Sequence, residues 1–130
     1  MRRLLRSERG QTMVETAIVL PVVVFMMVAM VDAGRVFHAW IVVTNGAREG
    51  ARAAAARQSA DVVENRVENS MNGWLCDDAD TTCTFTNVLG TSGTPTQVVV
   101  THDVTLLSPL IAAFWGNVVT LSGDATMQLE

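Results

Sequence analysis

The sequence predicts an α+β protein in which one long N-terminal helix, membrane-embedded over its first half, packs on a small antiparallel sheet. Three observations predict it. An uncharged apolar run, Thr16 to Val31, follows an arginine-rich head. Helical spacing of apolar and small residues continues beyond that run without a break. The last third of the 130-residue chain then alternates apolar and polar residues with the period of strands.

Length allows one domain plus an anchor. The chain holds nine basic residues, all arginine, against thirteen acids. Arg2, Arg3, Arg6 and Arg9 precede Gln11, so the remainder is strongly acidic. An acidic body argues against nucleic acid, whose phosphates demand a basic face. The basic head is short and abuts the apolar run, the pattern of a topogenic signal.

From Gln11 through Val31 the chain is long enough to cross an ordinary bilayer core, which takes about 20 residues at 1.5 Å each. Arginines lie before it and Asp32 after it, so the positive-inside bias places the N-terminus in the cytoplasm and everything after Asp32 across the membrane. Two competing readings are a buried core helix and a secretory signal peptide cut at Val31-Asp32-Ala33. The run is apolar around its whole circumference, which disfavours the first. The signal peptide leaves Glu15 and the helical pattern beyond Ala33 unexplained. Glu15 stands at the threshold of the run, where a carboxylate is energetically unwelcome and so suggests use. Pro21, inside the run, removes a backbone donor and is expected to bend or loosen the helix.

Beyond Asp32, Val36, Phe37, Trp40, Ile41, Val43 and Thr44 keep helical spacing, with His38 and Trp40 expected near the outer interface. Gly46, Gly50 and Ala54 recur every four residues, a stripe where another backbone approaches closely or simply part of an alanine-rich helix. Glu49 stands one turn before Arg52 as an intrahelical partner. Val62, Val63, Val67 and Met71 extend the pattern to Asn72-Gly73, where the helix should stop. The expected organisation is a basic cytoplasmic leader over 1–10, a transmembrane helix over 11–33, its extracytoplasmic continuation over 34–72 and a small antiparallel β domain over 73–130. A continuous helix from Gln11 to Arg57 alone would reach about 70 Å.

Strands are expected at Gln97–Leu107 and Val118–Leu129, with a weaker one at Thr82–Leu89 and a flexible link over Gly90–Thr96. In the last strand Val119, Leu121, Gly123, Ala125, Met127 and Leu129 share the inward face. Ser108 as cap, Pro109 at the first position and Gly116 as stop predict one short apolar helix between the two main strands. Their common face should pack on the amphipathic half of the long helix, since a lone small sheet is unstable in water.

Cys76 and Cys83, seven positions apart, are expected to form a disulfide if this loop faces an oxidising compartment. Between them Asp77, Asp78 and Asp80 lack the full EF-hand pattern, so a solvated acidic loop is the better reading than a calcium site. No convergent set of reactive groups emerges. His102 and Asp103 are neighbours on one strand and point to opposite faces, no serine sits in a nucleophile elbow, and metal-ligand spacing is missing. The expectation is a non-catalytic chain without cofactor or metal.

The segment Arg9 to Pro21, taken with Asn45-Gly46-Ala47-Arg48-Glu49-Gly50-Ala51-Arg52, resembles the TadE-like family of pseudopilins, which serve the tight-adherence (Flp, type IVb) pilus. The likeness is strong over about the first 57 residues and looser at the closing strand. It implies a pilin-like fold and cleavage after Gly10 by a membrane-embedded prepilin peptidase, leaving Gln11 as the new N-terminus. It also implies that Glu15 pairs with the free amine of a neighbouring subunit. Thr16 stands where related major pilins often carry an aromatic residue. Partners implied are the membrane, the peptidase, other pilins or pseudopilins and the inner-membrane pilus platform. The alternatives are a free-standing bitopic envelope protein whose outer domain scaffolds or senses, and a secreted binding domain released by signal peptidase near Gly34.

Overall fold

A computed structural model describes residues 8–129. Most of the leader, including Arg2, Arg3 and Arg6, lies outside the described residues, as does Glu130. The elements are α1 (Glu8–Ala55), α2 (Ala60–Ser70), β1 (Thr81–Thr86), β2 (Pro95–Thr105), α3 (Pro109–Trp115) and β3 (Val118–Gln128). The strands form one antiparallel sheet in the order β1-β2-β3. The fold is α+β: a long, apolar N-terminal helix packed on a three-stranded antiparallel sheet.

Helix α1 changes character along its length. From Gln11 to Met27 every residue is exposed, whichever side of the helix it occupies. From Ala39 onward one face is buried, with Ala39, Val43, Ala47, Ala51 and Ala54 at the spacing of a single helical stripe. Val42, Val43, Ala47 and Ala51 join Val67, Met71, Cys76, Val98 and Val100 in the main core. Small residues on α1 let the sheet and α2 approach its backbone closely. Burying valines such as Val98 and Val100, both 0% exposed, contributes about 1.5–3 kcal/mol each relative to leaving them in water. Pro21 lies inside α1.

The helix does not continue to residue 72. It ends at Ala55 and the chain folds back as α2. Arg57 adopts a left-handed conformation at φ 56°, and the Arg57 N–H donates to Ala54 O at 3.0 Å and the Gln58 N–H to Ala53 O at 3.3 Å. Those bonds satisfy the terminal carbonyls in the way that usually calls for glycine. The reason for the reversal lies in the apolar stripe of α2. Val63, Val67 and Met71, at i, i+4 and i+8, descend α1 in antiparallel order against Ala54, Gly50 and Gly46. A straight helix would have left that stripe in water. Glu49 likewise pairs across the hairpin with Arg66, at 3.6 Å, and not with Arg52 as expected. Asn72 (φ 56°) and Gly73 (φ 98°) end the hairpin where a stop was expected.

The sheet differs from expectation at its margins. The link thought to span Gly90–Thr96 is shorter, because Pro95 and Thr96 open β2; Thr96 is fully buried and its Oγ1 donates to Thr86 O at 3.0 Å. Leu106 and Leu107 leave the strand, since the Leu107 N–H is taken by a side chain of α1. Met127 was expected inward but is 37% exposed, because it lines an open groove beside Arg48 and Arg52. At Gly123 a Cβ would stand 2.7 Å from the backbone carbonyl of Val43, so β3 crosses α1 where only glycine fits. With Gly50 against Val98 at one end and Arg35 against Thr105 at the other, β2 runs opposite to α1. The β2–α3–β3 connection therefore sits beside the last turn of the exposed apolar run.

Candidate functional site

Three places on α1 stand out, two of which carry residues singled out from sequence. The first is the amino-terminal turn. Gly10, Gln11 and Glu15 are all exposed on the helix, and Glu15 pairs with no cation among the described residues. The Thr16 hydroxyl donates to Thr12 O at 2.9 Å, the usual inward bond of a helical threonine in apolar surroundings. After this turn comes the bare apolar surface: Ile18, Leu20, Val22, Met26, Met27 and Met30 are each more than half exposed. The helix is long and apolar enough to cross a membrane, and none of its most apolar window is buried.

The second place lies where that surface ends, and sequence reasoning missed it. Asp32 is 2% exposed. The Leu107 N–H donates to its Oδ1 and Oδ2 at 3.0 and 3.1 Å, and the Ser108 N–H donates to Oδ2 at 2.7 Å. Arg35, one turn on, donates to Thr105 O at 2.9 Å and lies 3.4 Å from Asp32 Oδ1. One carboxylate and one guanidinium thus tie α1 to the end of β2 and the start of α3. Asp32 read as no more than the acid that closes the span. The available signal was the pairing of Asp32 with Arg35 at i, i+3 together with a serine-proline helix start whose amides need an acceptor.

The third place is the small-residue stripe. A Cβ on Gly46 would stand 2.8 Å from Met71 Cγ, and one on Gly50 would stand 2.5 Å from Val67 Cγ2 and 3.1 Å from Val98 Cγ1. Side chains of the same chain fill the stripe, and Ala54 is fully buried with Val63. What approaches closely is side chains of α2 and β2 and not another backbone.

Elsewhere the structure gathers residues that looked unrelated. Trp74 stacks on His102 with ring centroids 3.9 Å apart and meets His38 edge-on at 6.4 Å. His102 Nδ1 lies 2.9 Å from Thr81 Oγ1. Cys76 and Cys83 form a disulfide, and Asp77, Asp78 and Asp80 are exposed beside it. Glu64 and Glu68 converge on the Cys76 sulfur, but that sulfur is in the disulfide and Glu68 Oε1 accepts the Cys76 N–H at 3.0 Å. The glutamate is better explained as a cap on the loop than as a metal ligand.

Both sequence motifs on α1, apart from Arg9, fall within one matched segment. Residues 10–52 match the family model of the TadE-like proteins. The TadE-like segment covers about a third of the chain, running from the glycine before the apolar run to Arg52 beyond the glycine stripe. It points to a protein associated with the Tad pilus. No curated protein and no solved structure matches the chain.

Proposed function

We propose that this chain is a minor pilin-like subunit, a single-pass membrane protein that works by assembly within the tight-adherence pilus system and catalyses nothing. The observation that carries the reading is the union of the TadE-like match with a helix left bare on every side from Gln11 to Met27. A helix of that kind needs lipid or other helices around it. Glu15, at its cytoplasmic threshold, supplies the one acid on that surface.

In this reading a prepilin peptidase cuts between Gly10 and Gln11, and the freed amine of one subunit meets Glu15 of the next. Each group alone is costly in lipid, and docking neutralises both. Pro21 removes one helical hydrogen bond and gives the span a place to bend as it moves between neighbours. The leader lies in the cytoplasm, the globular part lies beyond the cytoplasmic membrane, and the partners are the peptidase, other pilins or pseudopilins and the platform. Release of a secreted domain near Gly34 is disfavoured, because that cut would remove Asp32 from the amides it caps.

Intact-mass analysis of the membrane-purified chain, together with pilus counts for Glu15→Ala, tests the proposal. A chain beginning at Gln11 and a loss of pili are expected. A mature chain still beginning at Met1, with normal piliation in Glu15→Ala, would leave the free-standing envelope protein as the better account.

A further inference from the structure

The connection between β2 and β3 has the composition of a membrane contact and is fastened at the level where one would lie. Val104 to Gly123 contains no charged residue, and the seven residues of α3 are all apolar. Asp32, immediately after the apolar run, holds the amides of Leu107 and Ser108, so the connection cannot lie far from the last turn of the span. Its surroundings are apolar and open. Leu107 is 63% exposed, and Met30, Val31 and Phe37 on the adjoining turns of α1 are 72, 55 and 66% exposed. Between α3 and α1 runs an open, mostly apolar groove of about 330 Å³, lined by Ala29, Val36, Phe37, Ile111 and Val119 among others, with Asp32, 2% exposed, as the one charged residue in its wall. A water-facing turn of this make-up would be a liability, whereas apolar surface continuous with a bilayer-spanning helix has its solvent beside it.

We propose that the α3 connection is a second membrane contact, lying in the interfacial zone of the outer leaflet with an acyl chain in the groove against α1. The inference rests on the membrane-spanning reading of α1. Lipid is the occupant because the groove is continuous with the surface that the span already presents to lipid. The contact is driven by apolar burial and not by headgroup charge, since the segment carries none. It would hold the globular part down on the bilayer and fix its tilt, so that each subunit presents its sheet at a set height. Asp32 and Arg35 then serve as the positioning pair that keeps the turn at that depth.

Site-directed spin labelling of the full chain tests this, one copy per phosphatidylcholine nanodisc, with the Cys76–Cys83 bond intact. Ala113→Cys and Leu107→Cys, both at exposed positions, report on the connection. Val22→Cys reports on the span and Ser92→Cys on the far end of the sheet. The expected result is that labels at 113, 107 and 22 collide several-fold more with oxygen than with a water-soluble nickel chelate, while 92 shows the reverse. The preference at 113 should not change with added anionic lipid or salt. If 22 lies in lipid while 113 and 107 behave like 92, the contact is absent and the span stands. If 113 and 107 are shielded from both reagents, protein covers the turn and the proposal is overturned. If 22 itself behaves like 92, the membrane-spanning reading fails and the contact falls with it.

Discussion

The carboxylate of Asp32, at the end of the apolar run, accepts the backbone N–H of Ser108 at 2.7 Å across 76 positions of sequence. The same carboxylate takes the Leu107 N–H with both oxygens. Two amides at the start of α3 thus have their acceptor on α1, and buried amides without one are strongly disfavoured. Asp32→Ala is expected to lower the thermal midpoint of the purified protein clearly, and Asp124→Ala, at an exposed position, to leave it nearly unchanged. Amide exchange should separate them too, with protection lost at Leu107 and Ser108 only in the first.

A paired glycine test follows from the crossing of β3 over α1. At Gly123 an added methyl meets the Val43 carbonyl and the Thr44 nitrogen, both backbone, which cannot step aside. Gly123→Ala should destabilise by about 1–3 kcal/mol, the range for overpacking a filled interior. Gly34 has nothing within 4 Å of the same methyl and sits inside a helix. Gly34→Ala should therefore stabilise by about 0.5–1 kcal/mol. Chemical denaturation in a fixed detergent would rank the two.

How much of this was legible in the sequence depends on whether the signal was local. The apolar run, the strand alternation around Val98–Val104 and over most of Val118–Leu129, and the position of the Ser108-Pro109 helix start are local patterns that recur in the structure, although the Ser108 side chain makes no capping bond and Met127 faces out. The helical reversal was missed because no glycine or proline marks it. Arg57 takes the left-handed position instead, and the pairing of Val63, Val67 and Met71 with Ala54, Gly50 and Gly46 appears only once the hairpin is folded. The Asp32 cap was missed for a similar reason. Its partners are backbone amides 75 and 76 positions away, and the Asp32–Arg35 spacing with the Ser108-Pro109 start hints at an anchor without saying which amides it holds. Trp74 between His38 and His102 is likewise a product of tertiary packing.

The disulfide closes the loop that leads into β1, with Cys83 opposite Val100 in the sheet. By constraining so short a loop in the unfolded chain it should contribute about 2–3 kcal/mol. The double variant Cys76→Ala, Cys83→Ala is expected to lose that much in equilibrium denaturation. Reduction of the native protein should cost a similar amount, and reduction of the double variant should change nothing.

Gly46 and Gly50 separate packing within the chain from packing between subunits. A methyl on Gly50 would be trapped between Val67 and Val98, two β-branched side chains with no flexible end. A methyl on Gly46 would press on Met71 alone at 2.8 Å, a fully buried but unbranched side chain with more rotamers to relieve the contact than two valines have. Gly50→Ala should therefore destabilise the isolated protein by about 1–3 kcal/mol, and Gly46→Ala by clearly less. Were the stripe a docking surface for a neighbouring subunit, the order would be lost. Both variants would then melt like the parent, and both would reduce pilus number. Melting curves beside pilus counts for the two variants distinguish the cases, with Glu15→Ala as the reference for a defect in assembly that leaves the folded core intact.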